Sequence, residues 1–382
     1  MRLTDAGDAA ERGKARKRCF LKKEAKTLTR LSPTSRRRPR KSFLVLFSKK
    51  EPLAVLAVAL ALCAGTPAHA DFGQTLARVR ARGVLDCGVA EGQAGFSQRA
   101  NDGSWHGLDV DFCRAVAAAT LGNGNRVRFI PLPAAFRFPA LQLGQIDILS
   151  RTTTWTTERE ASFGVVFAGV IYFDEQKVLV RRDGPAAKPD GLNGARVCVV
   201  EGTNLPGALQ TFAAAHGWHV TLVRKGLRQD AVQALVTGAC DAYTSDYADL
   251  RQAQGEAGKD FIVRGDDITR EPLSPVVRWD DGQWIVIVRG VHAALINAEA
   301  RGLTQALAGG AGPVRQAFLA DTAGFGRALG IDTAWALNSI QAVGNYGEIF
   351  DHDLGAGSDL KLDRGRNRLW TDGGMIWAPP LQ

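Results

Sequence analysis

Ten consecutive residues, Ser150-Arg151-Thr152-Thr153-Thr154-Trp155-Thr156-Thr157-Glu158-Arg159, put hydroxyls, a large ring and two guanidinium groups into one short stretch. Threonine hydroxyls and backbone groups can bond an ammonium or a carboxylate, and a guanidinium offers the planar fork that grips a carboxylate through two N–H groups. Trp155 could cover such a ligand. The same residues also suit a structural role, in which the threonines cap the next helix and Arg159 pairs with Glu158 or Glu160 on a surface. Further on, Glu201-Gly202-Thr203-Asn204 precedes a helical run, so its amides and the Thr203 hydroxyl make an anion site at a helix N-terminus. Asp246 is a carboxylate placed to meet an ammonium group, or equally to N-cap a helix from Tyr247. Together the groups match a zwitterion, with Arg159 and the 202–204 amides for its carboxylate and Asp246 and Thr154 for its amine. The chain has no Gly-x-Ser-x-Gly, no phosphate-binding Gly-x-x-x-x-Gly-Lys-Ser/Thr and no His-Glu-x-x-His. His216 and His219 read as solvated histidines rather than metal ligands. The expectation is a binding protein, not an enzyme, with no cofactor and no metal.

Two copies of one pattern must position these groups. Leu141, Gly144 and Asp147 recur as Leu235, Gly238 and Asp241, in Leu141–Ser150 and Leu235–Thr244. In each, an amphipathic run ends at a glycine suited to the left-handed C′ conformation, and an aspartate opens a short apolar strand. Hydroxyl-rich loops, 152–157 and 244–245, follow both strands. The carboxyl ends of such strands are where open α/β sheets bind small ligands. A second sign of duplication is the equal glycine-to-cysteine spacing in Gly83–Cys87 and Gly194–Cys198.

The formal charge of +9 over 382 residues comes from the N-terminus: residues 1–70 hold 17 Lys+Arg against 5 Asp+Glu, and the remainder is mildly acidic, 31 against 34. Leu53–Ala64 is an apolar run of 12 residues behind Lys49 and Lys50, too short for a spanning helix of about 20, and Ala68-His69-Ala70 gives the small-x-small cleavage pattern. This reads as a signal peptide that delivers a mature chain from Asp71 to the periplasm. Residues 1–52 form a basic extension, expected to be disordered or to arise from a mis-assigned start. Arg36–Lys41 alone resembles a nucleic-acid patch, but no nucleic-acid partner is expected. Cys19 and Cys63 fall outside the mature chain, leaving Cys87, Cys113, Cys198 and Cys240. An even count in an exported chain points to two disulfides with three possible connectivities. Assigning cysteines to their own unit selects Cys87–Cys113 and Cys198–Cys240.

The predicted order in the first unit is strand 84–89, helix 109–121, strand 126–130, helix 134–143 and strand 146–149. The second repeats it as strand 194–198, helix 205–215, strand 219–223, helix 230–237 and strand 241–243. Alternation of this kind gives an α/β fold with mainly parallel sheets. Crossings are expected at the polar stretch 181–185 and at Glu271-Pro272-Leu273-Ser274-Pro275, after which 284–288 and a helix over 291–300 rejoin the first unit. The boundaries are therefore 71–181 plus 275–382 for lobe 1 and 182–274 for lobe 2, behind the basic extension 1–52 and the leader 53–70.

Several stretches resemble the periplasmic substrate-binding proteins of ABC transporters for polar amino acids, solute-binding family 3, and within it the general L-amino-acid and glutamate/glutamine/aspartate/asparagine binders. They include Gly107-Leu-Asp-Val-Asp111, Arg151–Thr156, Cys240–Asp246, Glu271–Arg278, Gly344–Phe350 and Gly373–Pro380, and the resemblance spans about 75–382. It implies a two-lobed, type II binding-protein fold joined by two hinge crossings, closing on an amino acid that is passed to permease subunits. It also implies the Thr152 carbonyl and Thr154 hydroxyl for the α-ammonium, Arg159 for the α-carboxylate, Asp246 completing the ammonium site, and Arg151 meeting a side-chain carboxylate or amide. Two positions depart from the pattern: Asn204 stands where a threonine is usual, and Phe136 where a polar residue is usual, which could narrow or dry the cleft. The rivals are an amino-acid-like dehydratase on the same fold, for which Glu91, Glu158 and Glu201 are the candidate acids, and a ligand-sensing extracellular domain. If the start is mis-assigned, translation from a non-ATG codon near Leu44 or Val45 leaves a leader of normal length, and a native N-terminal peptide from upstream of Arg40 would overturn that hypothesis.

Overall fold

In a computed structural model, residues 74–381 are described. The basic extension, the leader, the cleavage site, Cys19 and Cys63 lie outside the described residues. Helix α1 (Gln74–Arg82) leads to β1 (Leu85–Val89), a small hairpin of β2 (Gln98–Arg99) and β3 (Trp105–His106), α2 (Leu108–Leu121), β4 (Val127–Pro131), α3 (Arg137–Gln142), β5 (Ile148–Leu149), α4 (Thr157–Phe163) and β6 (Val165–Phe167). Then come β7 (Tyr172–Arg181), β8 (Arg196–Val200), α5 (Leu205–Ala215), β9 (Thr221–Lys225), α6 (Arg228–Val236), β10 (Ala242–Asp246), α7 (Tyr247–Ala257), β11 (Phe261–Leu273) and β12 (Val276–Arg278). Helices α8 (Gly282–Ala300), α9 (Gln305–Gly309), α10 (Pro313–Ala328), α11 (Trp335–Val343) and α12 (Tyr346–Asp353) follow.

The strands form two five-stranded sheets of matching order, β4-β1-β5-β12-β6 and β9-β8-β10-β7-β11. In each, the βαβαβ unit supplies three parallel strands, and two more strands complete the sheet through antiparallel pairings. The sheets are thus mixed, because the crossing segments add strands of their own. The duplicated aspartates have the same task in both: Asp147 Oδ2 accepts the amide of Asp86 at 2.8 Å, and Asp241 Oδ2 accepts the amide of Arg196 at 2.8 Å. Each thereby ties the last parallel strand of its unit to the first. Gly144 and Gly238 hold φ of 67° and 78°, the left-handed turn that a Cβ disfavours.

The second sheet is buried on both faces. Val178, Val180, Val197 and Val199 pack with Leu209 on one side, while Leu179, Cys198 and Tyr243 pack with Leu235 and Phe261 on the other. This is the period-two alternation of strands, read as a continuous apolar run because both faces are covered. The first sheet shares its core with the carboxyl-terminal helices, where Trp284, Ile287, Val288 and Val291 of α8 recur at helical spacing.

The first crossing lies earlier than expected. β7 pairs with both β10 and β11, so the chain changes sheets between β6 and β7, ahead of the 181/182 boundary. Ten residues of half-buried alternation carry β7 through, and polar 181–185 is only the turn at its far end. The return crossing does fall at 273–276; Pro272 is tolerated because β11 is an edge strand. Residues 284–288 are not a separate segment but part of the 19-residue α8, capped by Asp281, whose side chain accepts from the Trp284 amide.

The structure bridges Cys87 to Cys113 and Cys198 to Cys240, with Cα–Cα distances of 6.3 and 5.7 Å. A cross-link over 42 residues removes about 4 kcal/mol of unfolded-chain entropy. Replacing Cys198 and Cys240 by Ser together should therefore cost about 2–4 kcal/mol in denaturant unfolding. A change within about 0.5 kcal/mol would show that the second sheet does not depend on it.

Candidate functional site

The carboxyl ends of β1, β5, β8 and β10 face a cavity between the two sheets, lined among others by Arg137, Arg151, Thr152, Thr154, Thr203, Asn204 and Asp246. Of the residues expected at the site, Arg151, Thr152, Thr154, Thr203, Asn204 and Asp246 are thus brought together. Trp155 and Arg159 are outside this lining. The Trp155 ring stacks on Phe167 at 5.7 Å, and the Arg159 guanidinium donates through Nη1 to the Thr154 carbonyl at 2.7 Å while lying over Phe138. Phe136 is also outside, 62% exposed, so it neither narrows nor dries the cavity.

The threonine loop is held from two sides. Asp109, at the start of α2, accepts the Ser150 hydroxyl at 2.7 Å and the Thr152 amide at 2.9 Å. Thr152 has a φ of 40°, a left-handed conformation that a β-branched residue adopts only when its surroundings impose it. On the other side, the Thr153 carbonyl accepts the Ser274 amide at 3.0 Å and the Trp155 amide donates to the Pro272 carbonyl at 2.8 Å. The loop is therefore bonded directly to the return crossing. Thr156, not the loop's earlier threonines, caps α4, accepting from the Arg159 amide.

Arg137 is the main residue that sequence reading missed. It is 2% exposed, its Nη2 donates to the Gly202 carbonyl at 3.0 Å, and its Nε is sealed from solvent with no hydrogen-bond partner. The available signal was an arginine between two phenylalanines in an otherwise apolar run. Burial drives its pKa well down, and Arg159 and Arg151 add like-charge repulsion. Burial likewise lowers Arg151 to about 10, partly offset by Asp109 and Asp246. Three guanidinium groups thus share one desolvated wall, and only part of their charge is answered by the protein.

The opposite wall is acidic. Asp246 occupies the N-cap position of α7 but its side chain makes no capping bond, and its Oδ1 is buried without a partner. Burial raises its pKa well above the usual carboxylate range, with Asp174, Glu271 and Asp249 adding to the shift. Asn204 likewise caps nothing: its Nδ2 donates to Glu271 Oε2 at 2.8 Å. Glu271 Oε1 and Arg228 Nη2, the latter on a residue lining the cavity, are two more buried atoms without partners. Thr203 donates its hydroxyl to the Val200 carbonyl at 2.8 Å, which leaves the oxygen free to accept. Of Glu91, Glu158 and Glu201, only Glu91 lines the cavity, and all three are exposed. His216 and His219 are exposed as expected, and His216 packs against Phe212 and Trp218.

The walls meet closely. A Cβ on Gly202, whose φ is 78°, would come within 2.6 Å of Ala135 backbone atoms, so only glycine permits this approach. Gln252 of α7 also reaches across, accepting from the Ala94 amide at 2.8 Å and donating to the Gly92 carbonyl at 2.9 Å.

Three comparisons with known proteins bear on this site. Residues 85–267 match the family model described as bacterial extracellular solute-binding proteins, family 3. The general L-amino acid-binding periplasmic protein AapJ of Rhizobium johnstonii is 40% identical over 324 residues, covering 82% of this chain and 95% of AapJ. The glutamate/glutamine/aspartate/asparagine-binding protein BztA of Rhodobacter capsulatus is 36% identical, covering 82% of this chain and 95% of BztA. A solved periplasmic binding protein from Brucella ovis with glutathione bound superimposes with a TM-score of 0.76 at 38% identity, covering 81% of this chain and 99% of that one. Among the described residues no helix is long and apolar enough to cross a membrane.

Burial raises Asp109 to about 6 and Asp174 to about 7, both above the ordinary 3.8. A carboxyl whose pKa is raised by folding holds its proton more tightly in the folded state, so its contribution falls as pH climbs from about 4 to about 7. The unfolding midpoint is expected to be higher at pH 5.5 than at pH 8, and Asp174→Asn should shrink the difference. An equal or larger difference in the variant would show that Asp174 is not among its sources.

Proposed function

From the premise that this chain belongs to family 3 of the bacterial extracellular solute-binding proteins, we propose that it captures a polar L-amino acid between its two sheets. It then delivers that ligand, in the periplasm, to the permease subunits of an ABC transporter. The observation that carries the reading is the pair of opposed, unsatisfied walls: Arg137 Nε on one side and Asp246 Oδ1 on the other, each buried without a partner. A zwitterion supplies one carboxylate and one ammonium, which is the complement of those walls. The names of AapJ and BztA support the ligand class.

In this reading Asp246 and Thr154, with the Thr152 carbonyl, meet the α-ammonium. The α-carboxylate lies toward the arginine wall and the Thr203 and Asn204 amides. Arg151 and Arg137 reach the cavity directly, whereas Arg159 would bind the carboxylate by adding to, or exchanging, its bond to the Thr154 carbonyl. Arg228 remains for a polar group on the ligand's side chain. Trp155 supports the loop from behind. The protein is read as a binding component rather than an enzyme, in keeping with its relatives AapJ and BztA, which are named as binding proteins. A dehydratase would consume its ligand; here the ligand should be recovered unchanged after long incubation.

Titration calorimetry on the chain from Asp71 should detect binding of at least one polar L-amino acid, and binding of none of the twenty rejects the reading. An ammonium favours ionised Asp246, whose pKa is raised by burial, so binding near neutral pH should release a proton and tighten as pH rises. Asp246→Asn should abolish that release and weaken binding by roughly 30-fold or more, the usual cost of breaking a desolvated charge pair. Arg159→Ala should weaken it comparably; an unchanged affinity would remove Arg159 from the site.

A further inference from the structure

The end of α12 lies beside the first turn of α2 and assembles Asp111, His352 and Asp353. None of the three lines the cleft cavity. One possible ligand atom from each lies within 4.8 Å of the other two. His352 Nδ1 and Asp353 Oδ1 are 2.8 Å apart, and Asp111 Oδ1 accepts from Arg114 Nη1 at 2.8 Å. Asp353 Oδ2 is sealed from solvent and has no hydrogen-bond partner, on a residue only 6% exposed. An orphaned carboxylate oxygen at that depth calls for an occupant that the protein itself does not provide.

The surrounding charges narrow the class of occupant. Arg114, His352 and the more distant His106 face Asp111; Asp111, His352 and Arg114 face Asp353. Two carboxylates side by side are therefore balanced by one fixed cation and an imidazole. One imidazole with two carboxylates is a donor set suited to zinc and similar divalent ions, with a fourth position left for water. Zinc ligands about 2.0–2.1 Å from the ion sit about 3.4 Å from one another, and the candidate atoms, all within 4.8 Å of one another, must draw together by up to about 1.4 Å to reach that spacing. The His352 side chain is 70% exposed and leaves an entry path. Arg114 also donates to the Trp105 carbonyl at 2.8 Å, which fixes the outer support of Asp111.

We propose that Asp111, His352 and Asp353 form a site for a divalent transition-metal ion of the zinc class, separate from the ligand cleft. The ion ties α12 to α2, the helix whose Asp109 holds the threonine loop. It therefore braces the wall of the first sheet from outside. The test is calorimetric titration of the chelator-stripped full chain with Zn2+, paired with thermal unfolding. One ion per chain should bind at micromolar concentration and raise the unfolding midpoint. His352→Ala, at an exposed position that does not threaten folding, and Asp353→Asn should each weaken Zn2+ binding by about tenfold or more and remove the thermal effect. Absence of saturable binding overturns the proposal, and so does binding that neither variant alters. If Asp353→Asn raises stability while Zn2+ has no effect on the parent, the pair shares a proton instead, and the proposal fails.

Discussion

Charge buried without a partner is the constraint on which this structure turns. Arg137 and Arg151 line one wall of the cleft with Arg159 close by, and Asp246 lines the other, where Asp174, Glu271 and Asp249 add like charge although Asp249 itself is paired with Arg228. Each group is desolvated, and like charges adjoin on both sides. The walls cannot collapse onto one another to neutralise the charges, because each is fixed by a separate sheet. What remains is a pair of half-satisfied surfaces of opposite sign, the complement of a small molecule carrying both charges. Aromatic faces relieve part of the cost, since Arg137 and Arg159 both lie over the Phe138 ring, at 5.2 and 5.6 Å.

The backbone that crosses between the sheets is part of the same arrangement. β7 and β11 run antiparallel along the edge of the second sheet and lead straight back to the loops of the first. Glu271 stands at this junction, its Oε2 accepting from Asn204 Nδ2. Thr153 and Trp155 are bonded to residues of the crossing through their own backbone. A shift of one sheet against the other must therefore be felt at Thr154 and Asn204, which line the cavity. Further along, Asn367 bonds both backbone groups of Phe173, and Tyr346 donates to the Ile171 carbonyl, so the carboxyl-terminal segment is anchored to the base of the first crossing. That anchoring leaves the hinge short.

Much of this was legible in the residues. The duplicated Leu-x-x-Gly-x-x-Asp pattern located the last parallel strand of each unit, and the strand carbonyl ends located the loops. The cysteines sorted correctly because each pair lies inside one unit. Cavity-lining residues at strand ends, Arg151, Thr152, Thr154 and Asp246, could be located from order alone. Arg137 could not, because it sits on a short helix in an apolar run and looks like a surface residue until Gly202 closes over it. The chemistry of Trp155 suggested a cover for the ligand, but alternation along the chain turns its ring into the apolar cluster with Phe167. Phe136 was misplaced for the same reason: its neighbours Ala134 and Arg137, not its own side chain, face the cavity.

By itself the sequence determined the α/β units, their duplication, the disulfide pairing and the chemistry available to a zwitterion, because those depend on periodicity and on residues near one another in the chain. Only the tertiary structure decided where the chain changes sheets, which of the arginines face the cavity, and that Asn204 serves Glu271 rather than a helix cap. Those outcomes depend on contacts between residues far apart in sequence. Local spacing carries no record of which side of a strand or helix such a partner will approach.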